Sequence, residues 1–270
     1  MGTERIAALP MYDFPQLRDA HDALWTALAD RLIAAGLRDV PRALTRDLGH
    51  FDVWRHPALL FAQGCEYPLA KSFADQVRLV ATPRYSAPGC EGAYYRSAIV
   101  VRREETGSLA DFRGRRCVVN EMDSNSGMNL LRAAVAPLAG GARYFASVAV
   151  SGAHLRSAEM VASGEADVAA VDCVSLAHFR GLCPEVVAKL RVLSWTPASP
   201  ILPFITARSV EDTTVQILRS ALAGVFDDGT LAPVRERLLL TGVDLQPVEG
   251  FGEVLRLERA AVEQGYPTIC

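Results

Sequence analysis

The sequence predicts an α/β protein, and three observations carry that prediction. Short apolar runs alternate with longer stretches whose apolar residues recur at helical spacing. Glycine and proline punctuate the joints between them. The chain has 270 residues, half of them hydrophobic, enough for one large domain or two of ordinary size.

Element by element, Ile6–Met11 reads as a strand. Asp19–Leu37 reads as a helix, with Leu24, Leu28, Leu32 and Ile33 on one face and Gly36 near its end. Ala58–Gln63, Val77–Ala81 and Tyr94–Val101 are apolar runs of strand length, as is Arg116–Asn120. A helix opens at Ser126. Phe145–Val150 is the next strand, His154–Ser163 a helix stopped by Gly164, and Ala166–Val171 a strand followed by a helix to Phe179. Leu190–Leu193 and Pro203–Ala207 are strands. Helices Thr213–Phe226 and Leu231–Leu239 are expected to close the chain. Such alternation indicates mostly parallel sheets, with ligand sites beyond the carboxyl ends of strands.

Composition excludes several classes. The net charge is −3 and no basic block appears, so nucleic acid has no electrostatic footprint. No apolar run approaches the roughly 20 residues of a membrane span. The six cysteines, Cys65, Cys90, Cys117, Cys173, Cys183 and Cys270, show no CxxC or zinc-ribbon spacing and fit a reducing compartment better than a disulfide framework. The first residues lack the three regions of a secretory leader, so the chain as given reads as cytosolic or as one whose leader has been removed. There is no GxSxG, HExxH, P-loop or GxGxxG, and no catalytic residue, metal or cofactor is expected. His50 and His56 flank Asp52, but the spacing fits no known metal site and a polar loop is expected there.

The most informative stretch is Asp123–Met128, between the strand Arg116–Asn120 and an apolar helix. It places two hydroxyls, an amide and a glycine where helix N–H groups have no intrahelical partner and the dipole favours negative charge. One reading is an oxyanion cradle. The other is an ordinary capped helix, since Ser and Asn lead the N-cap preferences.

Four segments together resemble the substrate-binding proteins of phosphate, phosphite and phosphonate ABC transporters. They are Leu109–Arg116 (an L-x-D-x-x-G-x-x element), Ser124-Asn125-Ser126-Gly127 (an S-x-S-G anion loop), Ser151–His154 (a glycine-then-histidine turn) and Gly164–Asp172 (a G-x-A-D strand). Ser199–Pro203 resembles the return crossing. The resemblance implies a two-lobed type II periplasmic-binding-protein fold, each lobe a mostly parallel sheet flanked by helices, joined by two hinge strands. Lobe 1 would be 1–97 plus 199–270, and lobe 2 would be 98–198.

It further implies that Ser124, Asn125, Ser126 and Gly127, with the Met128 amide, bind a small oxyanion, and that His154 donates to it. Tyr95 matches an aromatic residue that the family places in the cleft. Tyr12 and Tyr67, each following a strand, are first-lobe candidates. A carboxylate repels an anion, so Glu66 either points away or holds a ligand amine or hydroxyl, and Asp172 either holds a cationic group or caps a helix. An ABC-transporter permease is the implied partner, and the periplasm the implied location if a leader was removed. Departures are visible. Where aminophosphonate binders carry acidic residues, this chain has Val174 and Phe204, and Asn125 stands where Thr is common. No Lys or Arg falls in the matched loops. Two other classes stay open: an enzyme on the same fold, such as a thiamine-pyrimidine-precursor synthase with Ser124 and His154 as a nucleophile pair oriented by Asp172, and a partner-binding domain without a ligand.

Overall fold

The computed structural model describes residues 4–245 and 251–270. The chain forms two compact units, Met1–Ser86 with Ile201–Gly250, and Ala87–Pro200 with Phe251–Cys270. In chain order, β1 (Ile6–Ala8), α1 (Arg18–Ala34), α2 (His50–Trp54), β2 (Leu59–Gln63), α3 (Glu66–Pro68) and β3 (Val77–Tyr85) belong to the first unit. The second holds β4 (Tyr94–Tyr95), β5 (Ser97–Arg102), β6 (Arg116–Val119), α4 (Leu130–Ala139), β7 (Ser147–Val150), α5 (His154–Ser163), β8 (Val168–Asp172), α6 (Cys173–Leu182), α7 (Pro184–Val187), β9 (Leu190–Trp195) and β10 (Ser199–Pro200). The chain then returns to the first unit with β11 (Phe204–Ala207), α8 (Asp212–Asp227), α9 (Ala232–Arg237) and β12 (Leu240–Asp244), and α10 (Gly252–Glu263) rejoins the second.

The first unit's sheet has the order β1-β2-β11-β3-β12. β1 and β2 are parallel, while β11 runs against both β2 and β3, and β12 against β3. Its core is aromatic. Trp25 of α1 stacks on Phe61 at 5.9 Å, and Phe61 meets Phe204 at 5.0 Å. Burial of such side chains is worth roughly 1.5–3 kcal/mol each, which holds α1 on the sheet.

The second unit's sheet has the order β7-β6-β8-β5-β9, with β6 parallel to β7 and β8 and β5 antiparallel to β8 and β9. A two-stranded ribbon pairs β4 with β10. At the start of β8 the Asp167 carboxylate accepts from the Arg116 backbone N–H at 2.9 Å and from its guanidinium at 2.9 and 3.0 Å. The Arg116 side chain, ahead of the opposing cost of burial, holds the Asp167 pKa down at about 2.

Four expectations change. The sheets are mixed, because residue periodicity identifies a strand but not its direction. The segment 50–56 opens with the short helix α2, where His50 lies against Trp54, and is not a polar loop throughout. The chain does not close on two helices, since β12 and α10 follow them. The unit boundaries also differ, falling at 86/87 and 200/201 with 251–270 in the second unit. There the ribbon joins β4 to β10, and the Cys270 carbonyl accepts from the N–H groups of Tyr144 and Phe145 at 2.8 and 2.9 Å. No helix among the described residues is long and apolar enough to cross a membrane.

Candidate functional site

The site is built where β6 ends. Buried Cys117–Val119 carry the chain through Asn120 into a turn capped by Ser124, whose backbone is extended and whose hydroxyl accepts from the Gly127 N–H at 3.0 Å. The residues Asn125–Asn129 form a wide π-helical turn before α4, not the plain helix start expected at Ser126. Its first backbone bond runs from the Asn129 N–H to the Ser124 carbonyl at 3.0 Å. A bond five residues long leaves the N–H groups of Ser126 and Met128 without an acceptor inside the turn, and such wide turns recur at functional sites. The capping reading therefore describes Ser124.

Gly127 is required by contact, not by torsion. A Cβ there would lie 1.7 Å from Asn120 Oδ1 and 3.3 Å from the Asn120 backbone nitrogen.

His154 opens α5, and its Nε2 lies 2.7 Å from Ser126 Oγ. Ser124 Oγ is 3.4 Å from Ser126 Oγ. The histidine is part-exposed as a residue, but its Nδ1 is buried and has the Ala170 backbone as polar neighbour, short of a full hydrogen bond. Burial lowers the imidazole pKa from 6.5 to about 4, so the ring is neutral near pH 7. The unfolded state therefore takes up the proton first. Stability from the neutral ring is complete above pH 6.5 and is lost as the pH falls toward about 4. His21, buried in the first unit beside Asp13, has a pKa lowered to about 4 by the same cause and titrates in the same window. Urea midpoints should fall between pH 7 and pH 4, with a shallower fall in His154→Gln. An unchanged slope in that variant would show that His154 is not held neutral by the fold.

Asn125 is almost fully buried. Its amide donates to Ser199 Oγ at 2.8 Å and to Tyr95 Oη at 3.2 Å, and its Oδ1 accepts from Asn129 at 2.9 Å. The side chain thus braces the turn against the β4–β10 ribbon. Behind it, Asn129 Oδ1 accepts from the buried Arg132 at 2.6 Å, and Arg132 also donates to the Pro267 carbonyl at 2.9 Å. Asn129, Arg132 and Ser199 were missed in the sequence. The signal was present for the first two: polar residues four and seven positions beyond Asn125 in an otherwise apolar helix share its face. The matched loops hold no cation, yet Arg132 places one a single residue behind them.

The other candidates fall as follows. Tyr95 joins the cluster. Asp172 caps α6 by accepting from the Ser175 N–H at 2.8 Å. Tyr12, Tyr67 and Glu66 are buried in the first unit, Tyr12 edge-on to Tyr85 at 5.5 Å and Tyr67 and Glu66 in α3 just beyond β2. Ser126, not Ser124, is the hydroxyl bonded to His154. Among the described residues no group of three or more His, Cys, Asp or Glu side chains is arranged to hold a metal.

Two α/β units with mixed sheets, and a serine-capped turn at a strand's carboxyl end, define the class of type II periplasmic binding proteins. The chain belongs to the family described as ABC transporter, phosphonate, periplasmic substrate-binding protein, whose model matches residues 58–246. Solved structures share the fold at low identity. A binding-protein component of an ABC phosphonate transporter from Pseudomonas aeruginosa is 15% identical with a TM-score of 0.74, covering 97% of this chain and 88% of that one. PhnD1 from Prochlorococcus marinus, in complex with methylphosphonate, is 13% identical with a TM-score of 0.75, covering 94% and 97%. XAC2383 from Xanthomonas citri, bound to ATP, is 15% identical with a TM-score of 0.72, covering 97% and 98%. No curated relative matches the chain by sequence.

Proposed function

We propose that this protein captures a small phosphorus oxyanion (a phosphonate, phosphate or phosphite) on the Ser124–Met128 turn, for delivery to an ABC-transporter permease or for ligand sensing. The observation that carries the reading is the wide turn itself. It gathers the hydroxyls of Ser124 and Ser126 and the amides of Ser126 and Met128 at a helix N-terminus, where partial positive charge accumulates. Neutral donors of this kind hold an anion without a counter-charge in contact.

His154 Nε2 and Ser126 Oγ share one hydrogen bond whose direction follows the tautomer: with Nε2–H the Ser126 hydroxyl hydrogen is directed at the ligand, and with Nδ1–H it is held by Nε2. Because the ring is neutral, the anion meets a chain of dipoles and not an imidazolium. Tyr95 bounds the turn. Tyr12, Tyr67, Glu66 and Asp172 are further proposed ligand-binding residues. Val174 and Phe204, apolar where aminophosphonate binders are acidic, favour a ligand without an amino group. A periplasmic location is part of the same proposal.

The enzyme reading loses its orienting acid. Asp172 Oδ1 is engaged by the α6 cap, and the polar neighbour of His154 Nδ1 is backbone, whereas an activated serine needs its histidine oriented.

The test is a thermal-shift screen against methylphosphonate, ethylphosphonate, 2-aminoethylphosphonate, phosphate, phosphite, sulfate and pyrimidine phosphates. A ligand at 100 times its Kd adds about 2.7 kcal/mol, a shift that is easily read. The expected result is stabilisation by one phosphorus oxyanion, with alkylphosphonates ahead of the amino compound. Stabilisation only by a pyrimidine compound would restore the enzyme reading, and no shift with any anion would leave a domain without this ligand.

A further inference from the structure

Two of the six cysteines, far apart in sequence, meet in the second unit. Cys90 Sγ and Cys173 Sγ lie 3.4 Å apart across 83 positions. Both are thiols here. Cys90 sits at the end of a turn closed by its own N–H on the Ala87 carbonyl at 2.9 Å, and Cys173 is the first residue of α6, directly after the Asp172 cap. The turn is pressed onto its neighbour through Gly89. That residue has φ of +105°, and a Cβ on it would fall 2.6 Å from the Trp195 ring and 3.0 Å from Cys173 Cβ. Only glycine lets the backbone come this close. The approach of the two sulfurs is thus imposed by the packing of the turn and is not left to a mobile side chain.

We infer that Cys90 and Cys173 are a dithiol site that closes to an intramolecular disulfide with a small-molecule disulfide as oxidant. A disulfide is about 2.05 Å long, so the sulfurs must approach by only about 1.4 Å from the 3.4 Å observed. Side-chain rotation supplies a movement of that size.

The order of events follows from exposure. Cys90 is part-exposed and Cys173 is buried. The Cys90 contact, with burial second, raises the Cys173 thiol above its ordinary pKa, which suits a resolving thiol and not an attacking one. The Cys90 thiolate attacks one sulfur of the oxidant, whose S–S bond breaks as the mixed disulfide forms. The first thiolate leaves and takes a proton from water. Cys173 then gives up its proton and attacks Cys90 Sγ, and the second thiolate leaves. Two protein thiols are oxidised and one disulfide is reduced to two thiols. The product staples the segment that leads into β4 to the start of α6. Cys117, by contrast, is sealed in β6. The inference rests on neither the ligand nor the periplasmic proposal.

The experiment is to incubate the full-length protein with oxidised glutathione, alkylate residual thiols under denaturing conditions and map the peptides without reduction. The expected result is a Cys90–Cys173 linked peptide in high yield, reversed by excess dithiothreitol and absent from both Cys90→Ser and Cys173→Ser, with Cys173 alkylated in the former. Glutathione retained on Cys90 with Cys173 alkylated would overturn the inference. So would recovery of both cysteines alkylated, or cross-links that join other cysteines in their place. The wild-type map decides the matter even if a serine variant folds poorly.

Discussion

Replacing Ser126 and His154 together with alanine should weaken methylphosphonate binding by more than tenfold, with little change in the melting temperature of the unliganded protein. The Ser126 hydroxyl is proposed to donate to the anion, and His154 Nε2, 2.7 Å behind it, holds that hydroxyl in its donor orientation. Losing one hydrogen bond to a charged group costs about 1.5–3 kcal/mol, which is roughly tenfold or more in affinity. The two residues act in series, so each single variant should lose most of what the double variant loses. Titration calorimetry on the four proteins of the cycle reads this directly. Unchanged affinity in the double variant would remove this pair from the site, and strictly additive losses would show that His154 reaches the anion independently of Ser126. Binding should be nearly flat from pH 8 to pH 6 as far as His154 is concerned, since its pKa is about 4 and the ring gains no charge there.

Gly127→Ala should both destabilise the second unit and weaken capture. The added Cβ would stand 1.7 Å from Asn120 Oδ1, far inside contact distance, while the Asn120 backbone is held by its carbonyl, which accepts from the Gly152 N–H at 2.8 Å. Strain of this kind costs typically 1–3 kcal/mol. Relief comes from rotation of the Asn120 side chain, whose Oδ1 makes no hydrogen bond, or from an opening of the turn that displaces the Ser126 and Met128 amides. Removing the opposing atoms should restore much of the loss: in Asn120→Ala the nearest remaining neighbour of that Cβ is the residue 120 backbone nitrogen at 3.3 Å. Urea denaturation of both single variants and the double variant tests the coupling. If Gly127→Ala is equally harmful with and without the Asn120 side chain, the clash is not the cause.

Local structure was largely legible. His154–Ser163 is a helix over the residues expected, ended by Gly164 in the left-handed conformation, because helical spacing and a terminal glycine are local signals. The strand–turn–helix at Ser124 was legible for the same reason, and so were the residues from which the family resemblance was drawn. What failed was non-local. Nothing in the apolar run of β11 says that it runs against β2 and β3. The pattern Val254, Leu257, Ala261 in α10 is a helical one, but which unit it joins depends on its packing against α4 and on the Pro267 and Cys270 carbonyls that Arg132, Tyr144 and Phe145 reach.

The chain by itself thus determined where strands and helices alternate, where a serine-capped helix N-terminus faces outward from a strand end, and to which family that pattern belongs, since caps, periods and glycines act over a few residues. Tertiary structure alone decided that the Asn125 amide braces the turn on Ser199 and Tyr95, that Arg132, behind Asn129, reaches the Pro267 carbonyl, and that Cys90 meets Cys173. Each of these depends on which buried polar group or side chain meets which across long sequence separations or between neighbouring elements. Burial forces every such group to find a partner, but only the packed fold says which one.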